Sequence, residues 1–104
     1  MLDKATAIST ANRYANEIKK QYNPFAIVLF GSYISGSPHE DSDIDIAVVF
    51  NGFNGDWYDT SVNLWRISCN VSLDIEPHLL DITKDLSGFV QHILKTGEFI
   101  YKTA

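Results

Sequence analysis

The stretch 30-FGSYISGSPHEDSDIDIAVVF-50 joins two apolar segments through a loop rich in small residues. Upstream of it, 25-FAIVLF-30 is an unbroken apolar run, which is typical of a strand covered on both faces. Downstream, 44-IDIAVVF-50 has the composition of a second strand, but aspartates stand at Asp43 and Asp45 at its start. The sequence therefore predicts two core strands with polar groups gathered where the loop meets the second strand.

The two aspartates share one face of the predicted strand, because side chains two residues apart in a strand point the same way, with Cβ atoms roughly 7 Å apart. Ile44, Ile46 and Val48 take the opposite face and are predicted to be core. Neighbouring carboxylates without a nearby Lys or Arg repel each other unless a cation lies between them or one is protonated. Mg²⁺ is commonly held by one or two carboxylates together with phosphate oxygens of a substrate. Asp43 and Asp45 therefore predict a metal site.

The loop adds groups that suit a phosphate. Gly31 permits a sharp turn and a close approach of the backbone to a ligand, and Ser32 offers a hydroxyl and a backbone N–H. A third carboxylate is available on the next predicted strand, where both Asp74 and Glu76 lie on the polar face. The choice between these two stays open at this level. His78 lies close to them in sequence and is either part of the site or a hydrogen-bonding loop residue.

The remaining pattern predicts an α+β fold, in which helices pack on a small mixed sheet of about four strands. Asp81 and Asp85 are the expected caps of the third helix, and Pro77 is expected to end strand pairing or to mark an edge. The predicted order is helix Leu2 to about Gln21, strand 25–30, strand 44–50, helix from about Asp56 to Asn70, strand 71–80, helix from about Lys84 to Thr96 and strand 98–102.

Composition limits the classes of function. The chain has 104 residues, of which 45% are hydrophobic, which suits a single domain spanning 1–104. A formal net charge of -5 argues against direct nucleic-acid binding through phosphate contacts. One cysteine, Cys69, cannot form an internal disulfide and is predicted to be a small core hydrophobe. No segment reaches the roughly 18 apolar residues of a membrane span, so a cytoplasmic location is expected.

Gly31-Ser32, ten residues and then Asp43-x-Asp45, following a helix and a strand, resembles the minimal nucleotidyltransferases of the polymerase-β-like nucleotidyltransferase superfamily. The resemblance implies that fold and the transfer of AMP, or another nucleoside monophosphate, from the triphosphate to a hydroxyl. It implies that Gly31 and Ser32 bind the nucleotide and that Asp43 and Asp45 hold Mg²⁺, with two ions expected. The third carboxylate, Asp74 or Glu76, would help to activate the hydroxyl, and Asp74 is the expected third metal ligand.

The resemblance also implies a partner. Stand-alone members of this group resemble antitoxins whose partner is a HEPN-domain toxin, so the expected acceptor is a tyrosine of that toxin within a hetero-oligomer. A sheet covered mainly on one side would leave Ala26, Val28, Trp57 or Trp65 available for such a partner. Two alternatives stay open: a non-catalytic antitoxin that acts by contact, and a transferase that modifies a small molecule such as an antibiotic. Ser35 departs from the family, which often carries Arg or Lys at that position.

Overall fold

The computed structural model describes residues 3–31 and 43–103. Three α-helices and four strands follow the predicted order in these ranges, and a short 3-10 helix, Ile82–Lys84, comes before the last α-helix. The predicted α+β class is therefore confirmed. The elements are α1 (Lys4–Lys19), β1 (Ala26–Phe30), β2 (Ile44–Phe50), α2 (Trp57–Val71), β3 (Ile75–Asp81), α3 (Phe89–Thr96) and β4 (Glu98–Lys102).

The strands form one mixed sheet in the order β3-β2-β1-β4. β1 pairs antiparallel with both β2 and β4, whereas β2 and β3 run parallel. Helix α2 makes the crossover that a parallel pair requires. Because β3 lies at an edge, the sheet tolerates Pro77 in the middle of this strand, which confirms the edge interpretation.

Both faces of the central strands are buried, but the two covers differ in size. One face carries Ile27, Leu29, Ile46 and Val48, which pack with buried side chains of α1 and α2. The other face is covered by the eight-residue helix α3. Its core consists of Ala26, Val28, Ala47, Val49, Val90 and Ile93.

The position of α3 shows that one prediction was wrong. Ala26 and Val28 were expected to be free for a partner, yet both are fully buried beneath α3. Trp57 and Trp65 do remain 43% and 53% exposed. Cys69, predicted to be core, is exposed as well. The buried face of α2 contains Leu64, Ile67 and Ser68.

Two predicted boundaries are also wrong. Val71 ends α2 and does not begin β3, which starts only at Ile75. The last helix begins at Phe89, because the side chain of Asp85 accepts hydrogen bonds from the backbone N–H groups of Val90 and Gln91. Asp85 thus caps this helix as expected. Within the described ranges, no helix is both long enough and apolar enough to cross a membrane.

Asp81 is a buried carboxylate that fastens the loop after β2 to the end of β3 rather than capping α3. Its oxygens accept hydrogen bonds from the backbone N–H groups of Gly52, Phe53 and Thr83 and from the Thr83 hydroxyl, at 2.7–3.0 Å. Burial by itself would raise the pKa of this carboxyl. The hydrogen bonds from Phe53, Thr83 and Gly52 outweigh burial and hold its pKa well below its usual range.

Asp81→Asn should lower the free energy of unfolding by about 2–4 kcal/mol at neutral pH, since an amide cannot accept all four hydrogen bonds. A depressed folded-state pKa gives stability that is present above the unfolded pKa, about 3.9, and is lost as the pH falls further. The difference between wild type and variant should therefore shrink below about pH 4. Urea unfolding over a pH series measures it.

The matched control is Asp59→Asn, which changes an exposed aspartate in the first turn of α2. It should change the free energy of unfolding by less than about 1 kcal/mol. Equal effects of the two substitutions would show that the Asp81 hydrogen bonds do not stabilise the fold.

Candidate functional site

The pairing of β2 with β3 places two acidic side chains side by side. Asp45 is the direct neighbour of Glu76 across the parallel strands, and both side chains are partly buried. Both point to the face that α3 covers, because Asp45 shares that face with Ala47 and Val49. The site therefore lies at one end of the thinly covered face of the sheet.

His78 completes a cluster with these carboxylates. Its Nε2 atom lies 3.3 Å from Oδ1 of Asp45, with side-chain exposures of 30% and 23%. One ligand atom from each of Asp45, Glu76 and His78 lies within 4.8 Å of the others. The Phe30 ring packs edge-on against the imidazole with 5.0 Å between ring centroids, and Phe30 is also the cross-strand neighbour of Asp45.

The electrostatics of the cluster suit a cation. Partial burial, followed by the negative charge of Asp45, raises the pKa of the Glu76 carboxyl, with His78 opposing the shift and Asp43 adding to it. Among the described residues, no Lys or Arg forms an ion pair with Asp45 or Glu76. Two carboxylates and one imidazole are ligand types that bind divalent metals. The residues present thus fit the metal that the sequence predicts.

The structure brings together only some of the predicted site residues. Asp43 and Asp74 are exposed and lie outside the cluster of Asp45, Glu76 and His78, although Asp43 is close enough to influence Glu76. The backbone carbonyl of Asp74 accepts a hydrogen bond from the N–H of Ile44 at 2.7 Å. Metal binding by Asp43 or Asp74 stays a prediction, while the geometry favours Glu76 as the carboxylate beside Asp45. Ser32 and Ser35 lie outside the described residues.

Gly31 closes the site from the β1 side. Its φ angle is +85°, a conformation that residues with a side chain adopt only with strain. A Cβ atom built on Gly31 would overlap the Oδ2 atom of Asp45. Glycine is therefore required here both by the backbone angle and by the position of the Asp45 carboxylate.

Gly31→Ala should displace the Asp45 carboxylate and weaken Mn²⁺ binding, in addition to straining the backbone. Gly52→Ala is the matched control, since Gly52 has a similar φ of +82° but open space where a Cβ would lie. The control should lose about 1–2 kcal/mol of unfolding free energy from backbone strain and keep its metal affinity. Urea unfolding and Mn²⁺ titration measure the two effects. Equal losses in both variants would contradict the close approach of Gly31 to Asp45.

Acidic groups that suit a divalent metal lie beside Gly31, just after β1. This arrangement is typical of sites that bind the phosphates of a nucleotide. Comparison with family models agrees, since residues 12–104 match the family described as "Polymerase beta, Nucleotidyltransferase". The chain belongs to this nucleotidyltransferase family. The family implies a nucleotide substrate and a divalent metal. Among curated proteins, none matches the chain significantly.

Solved structures share the fold. A protein from Sulfolobus solfataricus, described as a candidate nucleotidyltransferase, superposes with a TM-score of 0.71 at 22% identity, over 95% of this chain and 83% of the other. A chain of a toxin–antitoxin complex with AMP-PNP gives 0.62 at 25% identity, over 88% and 73%. A chain of the toxin–antitoxin MntA-HepT gives 0.62 at 22% identity, over 91% and 72%. These likenesses support the polymerase-β-like fold.

Proposed function

We propose that this protein is an antitoxin that transfers AMP from ATP to a hydroxyl of its partner toxin, most specifically to a tyrosine of a HEPN-domain toxin. The observation that carries the proposal is the adjacent pair Asp45 and Glu76 within a nucleotidyltransferase fold, with Gly31 packed against Asp45. The spacing Gly31-Ser32, ten residues, Asp43-x-Asp45 adds the nucleotide-binding and metal-binding positions of the resemblance.

At the α-phosphorus, the proposed reaction forms one bond and breaks one, and a proton moves from the acceptor to Glu76. The acceptor oxygen bonds to the α-phosphorus of ATP, the bond from that phosphorus to the bridging oxygen breaks, and pyrophosphate leaves. Glu76 takes the proton of the acceptor hydroxyl. Asp45 and Glu76, with Asp43 as a further ligand, would hold the divalent metal, Mg²⁺ by expectation and two ions in number. When bound, the metal neutralises negative charge on the phosphates and lowers the pKa of the attacking hydroxyl.

The exposed surface of α2 suits a protein partner. Helix α2 presents Tyr58, Val62 and Trp65 at helical spacing, with exposures of 74%, 39% and 53%. Exposed apolar groups of this kind are common where proteins bind each other. The toxin–antitoxin complexes among the similar structures point to the same kind of partner.

The test incubates the protein with α-labelled ATP, Mg²⁺ and the product of the adjacent gene. We expect label on the partner, and mass spectrometry should assign AMP to a tyrosine. Glu76→Gln should reduce the rate by about 100-fold or more, as expected for loss of a group that accepts a proton in the transition state. Asp74→Asn is the matched control in the turn just before β3 and should retain most activity if Glu76 is the third carboxylate.

Three outcomes would count against this proposal. Absence of label on the partner, with Asp45→Asn behaving like wild type, would exclude the transfer. Rescue of cells from the toxin by a protein carrying both Asp45→Asn and Glu76→Gln would show that neutralisation occurs by contact. Label on a small molecule such as an aminoglycoside, with none on the partner, would assign the remaining alternative.

A further inference from the structure

We propose that His78 is a direct nitrogen ligand of the metal, so that the site prefers divalent first-row transition metals, for which Mn²⁺ serves as the probe, over Mg²⁺. The inference rests on the metal site of the proposed function and assigns a role to His78, which the sequence left open between a site residue and a loop hydrogen-bonder. It starts from the cluster in which one ligand atom each of Asp45, Glu76 and His78 lies within 4.8 Å of the other two.

The backbone aims the imidazole at this cluster. Glu76 and His78 are two residues apart in β3, so they project from the same face of the sheet. Directly across the parallel pair from His78 lies Ala47, which is fully buried and contributes only a methyl group on that face. The imidazole therefore has space to lean along the sheet toward Asp45, where Nε2 reaches to 3.3 Å from Oδ1.

Aromatic packing fixes the orientation of the ring. Phe30 meets the imidazole edge-on at 62° between ring planes. Phe89, from α3, meets Phe30 at 6.0 Å and 84°. These contacts pack one side of the imidazole, whose Nε2 atom lies beside the Asp45 carboxylate. A ligand that is already oriented loses little conformational entropy when a metal binds.

The choice of metal follows from the donor atoms. Mg²⁺ favours oxygen ligands in near-octahedral geometry and gives up water reluctantly. Imidazole nitrogen favours first-row transition metals, for which affinities exceed those for hard cations at mixed nitrogen and oxygen sites. Asp45 and Glu76 alone would suit Mg²⁺, whereas Asp45, Glu76 and His78 together form a mixed site. An imidazole that only hydrogen-bonded to Asp45 would support both metals equally.

The test uses electron paramagnetic resonance of Mn²⁺ added to the purified chain without nucleotide. Pulsed spectra should show ¹⁴N coupling from a directly bound imidazole, and Mg²⁺ competition gives the relative affinities. His78→Gln should remove the coupling, weaken Mn²⁺ binding about tenfold or more and change Mg²⁺ binding far less. The control is His92→Gln, which changes an exposed histidine of α3 outside the cluster and should leave coupling and affinities unchanged.

Three results would overturn the inference: no binding of Mn²⁺ by the wild type, bound Mn²⁺ without ¹⁴N coupling, or an equal loss of both metals in His78→Gln. The wild-type spectrum decides the question even if the variant fails to fold. Transfer of label to the partner is measured separately. Transfer without ¹⁴N coupling would reject His78 as a ligand and leave the proposed function standing. Coupling without transfer would support His78 as a ligand and count against the proposed function.

Discussion

The register between β2 and β3 is the constraint on which the site depends. Parallel pairing sets Asp45 opposite Glu76, and a shift by one residue would send the side chain of one of them to the other face of the sheet. Helix α2 and the Asp81 hydrogen bonds connect the ends of these same two strands. The placement of Asp45 beside Glu76 therefore rests on the backbone geometry of the crossover.

The Asp45 and Glu76 carboxylates would repel each other, and packing of their strands holds them together despite this repulsion. β2 is a central strand whose apolar side chains are buried on both faces, so packing fixes its position independently of the site. Glu76 lies on the edge strand, where partial burial, followed by the negative charge of Asp45, raises the pKa of its carboxyl. Burial of the surrounding strands thus holds together charges that a flexible chain would separate.

The sequence predicted the order of elements and the core strands, because both depend on local apolar patterns. The role of Asp45 was predicted from a spacing motif and stays a prediction. The sequence did not decide between Asp74 and Glu76, since both lie on one face of the predicted strand and only strand pairing shows which one meets Asp45. For the same reason, the sequence did not decide whether His78 belongs to the site. The available signal was that His78 lies two residues after Glu76, on the same face of the strand. Cys69 was misjudged because its residue type alone suggested core, whereas tertiary packing of α2 buries Leu64, Ile67 and Ser68 and leaves Cys69 exposed.

The two faces of the sheet differ in role: one mainly stabilises the fold, and the other carries the candidate site. The long helices α1 and α2 bury one face, where residues such as Tyr14 and Ile46 are fully enclosed. Substitutions there would mainly lower the free energy of unfolding. The other face has one short helix over its apolar core and carries the partly buried Asp45, Glu76 and His78. Because these three side chains take no part in the larger apolar layer, substitutions among them leave the packing of that layer intact.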